Sequence, residues 1–151
     1  MEMGQLPVGA STQGSDPLIA AFFSVKLDGR DLGNWTQVEL GGAEITLDQQ
    51  EEGGNHLYVH QLPGRIKYQN IKLTRFVNTE TTKIANWFSS MVGSVTRTNG
   101  EITAYGRDLQ PMAIWNFIGA VPVRWSLPSL GVDNNKAATE SLEIAHQGFV
   151  Q

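Results

Sequence analysis

Arg65-Ile66-Lys67-Tyr68-Gln69-Asn70-Ile71-Lys72-Leu73-Thr74-Arg75-Phe76-Val77 reads as a long strand, and directly after it the apolar period changes. Within the stretch Ile71 and Leu73 face one way and Lys72 and Thr74 the other, the period of two of a half-buried strand. From residue 79 onward Ile84, Trp87, Phe88, Met91 and Val92 fall at i, i+3, i+4, i+7 and i+8, one stripe of a helix. Asn78 or Thr79 suits its cap, Glu80 suits the positive end of its dipole, and Gly93 suits its stop. A lone amphipathic helix has to lie across a sheet face or an open barrel end.

Working outward, every other periodic segment alternates. Phe23, Val25 and Leu27 share one face, and Asp28-Gly29 is a hairpin turn signal. Trp35 to Leu40 places Val38 and Leu40 opposite Gln37 and Glu39. Gly41-Gly42 then predicts a bulge or bend before Ile45 and Leu47 resume the alternation. Residues 48–64 are polar and Gly-rich around a short island, Leu57-Tyr58-Val59, and read as a long loop of the functional or mobile kind.

Beyond the helix, Glu101 to Gly106 and Met112 to Gly119 flank a turn at residues 107–111. The second of these is apolar on both faces, which predicts cover on both sides, from the helix or from another chain. Val121-Pro122-Val123-Arg124-Trp125 continues extended, with Pro122 restricting it to an edge or bulge. Residues 126–135 read as a loop. Thr139 to His146 is a last strand, with Leu142 and Ile144 inward and Ser141 and Glu143 outward. The expectation is a mainly β domain, an antiparallel barrel or sandwich of two small sheets with one flanking helix. Residues 1–16 carry Gly and Pro without an apolar period and read as an arm, leaving residues 17–151 as the domain.

The composition adds a second clue. The chain has 151 residues, one domain by length, and 17% of them are charged, against about 25% in an ordinary soluble domain. Either uncharged polar groups or other copies of the protein must cover the surface. A net charge of −4 argues against a basic nucleic-acid face, and the absence of cysteine excludes disulfide and thiolate chemistry. No apolar run reaches the ~18 residues of a membrane span. The opening Met1-Glu2-Met3-Gly4-Gln5 lacks the basic and apolar regions of a signal peptide, so the protein is expected to stay where it is made, with no membrane anchor.

The residues offer no catalytic constellation. His56 and His60 are four apart, but they sit in the Gly-rich loop without a third ligand nearby, so no metal site is expected. His146, at the end of a strand, reads as a partly buried core or interface side chain. Glu51 and Glu52 are adjacent and project differently, Gly53-Gly54 lacks the setting of a phosphate loop, and no Ser lies in a nucleophile elbow. Trp87 and Phe88 are core residues of the helix. No cofactor and no enzyme activity are expected.

One block is more specific. Tyr58-Val59-His60-Gln61-Leu62-Pro63-Gly64-Arg65-Ile66-Lys67-Tyr68-Gln69-Asn70-Ile71-Lys72-Leu73-Thr74-Arg75, taken with Trp115-Asn116-Phe117, Pro122-Val123-Arg124-Trp125 and Thr139-Glu140-Ser141-Leu142-Glu143-Ile144-Ala145-His146, resembles the T4-type tail tube family. That family spans phage tail tubes and the inner tubes of contractile injection systems, including the haemolysin-coregulated-protein-like fold. The resemblance runs over residues 16–150, with Leu62, Pro63, Gly64, Arg65, Lys67 and Tyr68 as its sharpest motif. It implies a structural protomer: two small sheets closing a barrel, hexameric rings stacked into a hollow tube inside a sheath, and a tube driven through a target envelope on contraction. It implies an extended loop over about residues 44–64 that reaches the adjacent ring, with Asp48, Gln49, Gln50, Glu51, Glu52, Gly53, Gly54, Asn55 and His56 at its tip. The partners it implies are further copies, sheath protein, baseplate or spike proteins, tube-terminating proteins, and effector protein or DNA in the lumen. Assembly is expected in a bacterial cytoplasm, followed by residence in a phage tail or tail-like particle. Alternatives are a tube-initiator protein of the same fold at the baseplate and a small-ligand-binding β-barrel.

Overall fold

The computed structural model describes residues 17–50, 60–133 and 137–150; the expected arm over residues 1–16 lies outside them. Among the described residues ten strands and one helix follow in order: β1 (Phe22–Leu27), β2 (Arg30–Trp35), β3 (Gln37–Glu39), β4 (Ala43–Gln50), β5 (His60–Tyr68), β6 (Ile71–Phe76), α1 (Thr81–Ser90), β7 (Thr98–Tyr105), β8 (Pro111–Ser126), β9 (Thr139–Ala145) and β10 (Gly148–Val150).

The chain is mainly β with every ladder antiparallel. One path of strands runs β2-β1-β7-β8-β9-β6-β3, with β10 beside β8. The sixteen-residue β8 is its corner. Its first part, to Ala120, pairs with β7, and its last part, from Val121, pairs with β9. The path thus folds into two layers, a first sheet β2-β1-β7-β8 and a second sheet β8-β9-β6-β3. The second corner is covalent: β2 and β3 are separated by Thr36 alone, whose N–H and Oγ1–H both donate to the Thr74 carbonyl at 3.0 Å. The expected barrel is therefore not closed by ladders among the described residues: one corner is a bent strand and the other a chain connection.

The alternation read from sequence fills the space between the layers. Val25 and Leu27 of β1, Ile71 and Leu73 of β6, Ile102 of β7, Phe117 of β8, and Leu142 and Ile144 of β9 are all buried. Helix α1 contributes Ile84 and Trp87, with Phe88 and Met91 partly buried against the core and the Phe88 ring stacked on Trp125. The predicted stripe ends one residue early. Val92 lies past the helix and is exposed, because the chain turns out at Gly93. The cap expected at Asn78 or Thr79 is displaced: Glu80 holds the N-cap position without a side-chain cap, and Asn78 Oδ1 accepts the Glu80 N–H at 2.7 Å.

A buried ion pair sits in this apolar interior. Arg75 and Glu140 occupy inward phases of β6 and β9, and each is 1% exposed. Arg75 Nε–H donates to Glu140 Oε2 at 2.8 Å, its Nη1 donates to the Leu32 carbonyl, and its guanidinium lies 4.0 Å over the Trp35 ring. Glu140 also accepts from Thr81 Oγ1 at 2.8 Å and from Trp125 Nε1 at 3.0 Å. One carboxylate therefore ties β6, α1 and β8 to β9. The carboxylate side of the pair is well satisfied in this way, whereas Arg75 Nη2 is buried without a hydrogen-bond partner among the described residues.

Candidate assembly surfaces

Strands β4 and β5 form a two-stranded ribbon that belongs to neither sheet. Its register runs from Ala43↔Tyr68 through Glu44↔Lys67 and Ile45↔Ile66 to Asp48↔Leu62 and Gln50↔His60. Residues 48–50 and 60–64, expected in a loop, are thus strand. The long strand expected over residues 65–77 is two strands, broken at Gln69-Asn70. The break has a physical cause: Gln69 spends its backbone groups on the base of the ribbon. Its N–H donates to Gly42 at 3.0 Å, and its carbonyl lies 3.1 Å from His146 Nε2. His146 Nδ1 accepts the Gly148 N–H at 3.2 Å, which assigns the ring proton to Nε2. His146 is buried among Tyr68, Phe117 and Phe149, as a core side chain at the ribbon's root.

The opposite strand leaves the body through Gly41 and Gly42, whose φ angles of 79° and 129° lie where side-chain-bearing residues are strained. The bend expected at this pair is present. Farther out, the Pro63-Gly64-Arg65 motif is a bulge: three steps on β5, from Ile66 to Pro63, oppose two on β4, from Ile45 to Leu47. A Cβ at Gly64 would sit 2.8 Å from the Thr46 carbonyl oxygen, so this position takes only the smallest residue without a shift. Proline fits at a bulge because a ladder hydrogen bond is already missing there.

The ribbon has no core of its own. Ile45, Leu47 and Ile66 remain 51%, 52% and 54% exposed. A two-stranded ribbon without apolar cover is marginal in water. Of the motif residues, Gly64, Arg65 and Lys67 are exposed and Tyr68 is half-buried under Gly148. Asp48, Gln49 and Gln50 end β4, while Glu51, Glu52, Gly53, Gly54, Asn55 and His56 lie outside the described residues. The backbone of His60 opens β5.

A second bare surface lies on β8. The two-sided apolarity of this strand predicts two covers, and the described residues supply one. Phe117 is buried in the core, but Met112 and Ile114 on the opposite face stay about half exposed, Met112 lining a depression with Leu18, Pro111 and the turn at Arg107-Asp108. The helix meets β8 at Trp125, on which the Phe88 ring stacks. Among the described residues no group of three or more His, Asp or Glu side chains gathers to hold a metal, and no helix is long and apolar enough to cross a membrane.

Sequence reasoning missed the Arg75–Glu140 pair, although its signal was present: both residues fall in the inward phase of strands whose phases were correctly assigned. It also missed β2 and β10.

A family model described as the T4-like virus tail tube protein gp19 matches residues 20–150. Among solved structures, the chain is similar to a chain of the PVC sheath–tube complex of an extracellular contractile injection system in its extended state. That match has 17% identity and a TM-score of 0.76, and it covers 93% of this chain and 95% of the other. It is also similar to a chain of the anti-feeding prophage baseplate, at 18% identity and TM-score 0.71, covering 89% and 95%. A more distant likeness is Hcp1 from Salmonella typhimurium, at 12% identity and TM-score 0.53, covering 85% and 83%. No curated protein sequence matches the chain.

Proposed function

The chain belongs to the T4-like virus tail tube protein family, and from that premise we propose that it is the repeating protomer of a hollow inner tube, built of stacked hexameric rings inside a contractile sheath. The observation that carries this beyond family membership is the β4–β5 ribbon. It projects from a body whose core is already complete, and it holds Ile45, Leu47 and Ile66 bare. A protein working alone has no use for such an element. A contact between unlike surfaces, repeated by rotation, closes into a ring, and a second set of contacts stacks the rings.

In this assignment residues 17–151 are the tube domain and residues 1–16 an arm. The two sheets act as a flattened barrel whose corners are left for neighbours to fill. The ribbon and its tip, residues 48–56, reach the next ring, with the Leu62-Pro63-Gly64-Arg65 bulge setting the ribbon's bend. The role is mechanical rather than catalytic, and no cofactor takes part. Sheath, baseplate and tube-terminating proteins are the partners, in keeping with the sheath–tube, baseplate and cap assemblies that contain similar chains. The lumen carries effector protein or DNA. Assembly takes place in a bacterial cytoplasm before the tube joins its particle.

Light scattering across a concentration series, with negative-stain microscopy of the same samples, tests the proposal. Rings and stacks should appear as concentration rises. A monomer at every concentration, even with the cognate sheath and baseplate proteins added, would overturn it. Deleting residues 49–56 should leave rings and abolish stacks.

A further inference from the structure

The bare face of β8 opens into a depression of about 670 Å³, walled by Pro17, Leu18, Ile19, Pro111, Met112 and Ala113. Ile114 stands two residues farther along the same face of the strand. Leu18, Met112 and Ile114 are about half exposed, and Ile19 more so. Apolar side chains gathered in this way mark a contact surface. The rim is held in an uncommon conformation. Leu109, exposed in the β7–β8 turn, has a φ of 65°, in the left-handed region that a residue with a side chain seldom adopts. Three hydrogen bonds hold the turn: the Leu109 N–H donates to the Gly106 carbonyl at 3.0 Å, the Gly106 N–H to the Gln110 carbonyl at 3.1 Å, and the Gln110 N–H to Asp108 Oδ1 at 3.2 Å. Asp108 and Gln110 both line the depression, so the turn places one more large apolar residue at its rim.

The chain enters the described structure through the wall of this depression. Pro17 is the first described residue, and the Ala21 N–H donates to the Tyr105 carbonyl at 2.7 Å, which sets this stretch alongside the β7–β8 turn. The sixteen residues before Pro17 are of two kinds. Residues 9–16 hold no large apolar side chain, whereas Met1, Met3, Leu6, Pro7 and Val8 make residues 1–8 an apolar block. A polar stretch of eight residues thus separates that block from a root that is itself part of the depression. Eight residues span at most about 29 Å, enough for the block to fold back over the surface that Pro17 lines. The family model matches from residue 20, so the block and Leu18-Ile19 both lie outside the shared fold.

We propose that residues 1–8 fold back on their own chain and fill this depression, seating Leu6 and Val8 against Met112 and Ile114 as the second cover of β8. Tethering favours this occupant over a separate molecule. A block joined to the depression by eight residues faces it at an effective concentration in the millimolar range, far above that of a second copy in dilute solution. The block also suits the place. Pro7 biases Leu6 toward an extended backbone, and in an extended backbone residues two apart lie on one face. Leu6 and Val8 therefore share a face, as Met112 and Ile114 do on β8, and the two pairs match in pitch. The contact belongs to the single chain and forms whether or not rings assemble. The same depression filled by a neighbouring copy is the rival arrangement.

The chain has four methionines, Met1, Met3, Met91 and Met112, and no cysteine, which makes the test direct. Gln5→Cys carrying a nitroxide, in full-length protein with ¹³C-labelled methionine methyls, should broaden the Met112 resonance at concentrations below ring formation. Met91, packed against the core at the end of α1, serves as the reference. Adding Leu6→Asp and Val8→Asp should reduce the broadening at Met112 about threefold or more; equal broadening would overturn the apolar contact. A mixture of nitroxide-bearing chains without ¹³C and ¹³C-labelled chains without nitroxide should leave Met112 sharp. Broadening in the mixture as strong as in the doubly labelled chain would assign the cover to another copy and overturn the proposal. Oxidation by dilute peroxide, followed by mass spectrometry, gives a second reading. Removing residues 1–16 should speed sulfoxide formation at Met112 about fivefold and leave Met91 unchanged. Equal rates at Met112 in the full and shortened chains would overturn the cover.

Discussion

The β6–β9 pair and the β4–β5 pair are both antiparallel, and they differ in what covers them. In the first, Ile71, Leu73, Leu142 and Ile144 are wholly enclosed, and the Arg75–Glu140 pair is enclosed with them. In the second, the corresponding apolar side chains face water by half. Backbone pairing alone contributes little net stability, because the unfolded chain makes equivalent hydrogen bonds to water. The body therefore carries its own core, and the ribbon finds little apolar cover among the described residues of this chain; in the tube proposed above, neighbouring copies would supply it.

That contrast can be broken most forcefully from the body. Glu140→Ala leaves Arg75 buried without its counter-charge and leaves Thr81 and Trp125 without their acceptor. It should cost about 3–5 kcal/mol in urea unfolding followed by tryptophan fluorescence. All four tryptophans, Trp35, Trp87, Trp115 and Trp125, belong to the body, so the signal reports on it alone. Next in size, Ile144→Val removes one methylene from a filled interior and should cost about 0.5–1.5 kcal/mol by the same measurement. Ile45→Ser together with Ile66→Ser should change the unfolding free energy by less than about 0.5 kcal/mol, yet abolish stacking in scattering and microscopy. Gly64→Val should do the same through shape, because its Cβ meets the Thr46 carbonyl. A large loss of body stability from either ribbon variant would show that the ribbon packs on its own chain.

The same contrast explains what was legible in the sequence. Where a strand has one face in the core, alternation announces it: β1, β6 and β9 and their inward residues were readable, as was α1 from its stripe. In the ribbon only the inner part was readable, from the alternation of Ile45 and Leu47 and the strand beginning at Arg65; its outer part has no core to impose a period, and Pro63 and Gly64 look like loop residues when they are parts of a bulge. Strand β2 escaped for a related reason. A bulge opposite Val25–Lys26 sets its buried residues, Leu32 and Trp35, three apart, which destroys the period of two. Strand β10 is three residues long, too short to show any period. The motif residues stood out by resemblance, while their roles as bulge and ribbon needed coordinates.

The three residues between β3 and β4 have a mechanical consequence. Leu40, Gly41 and Gly42 are all that separates the sheet edge at Glu39 from the ribbon at Ala43. In the tube proposed above, a pull on the ribbon along the long axis would pass through this short link into the edge of the body sheet. With so little slack between ribbon and body, such a cylinder should yield as a single body rather than shed its layers one at a time.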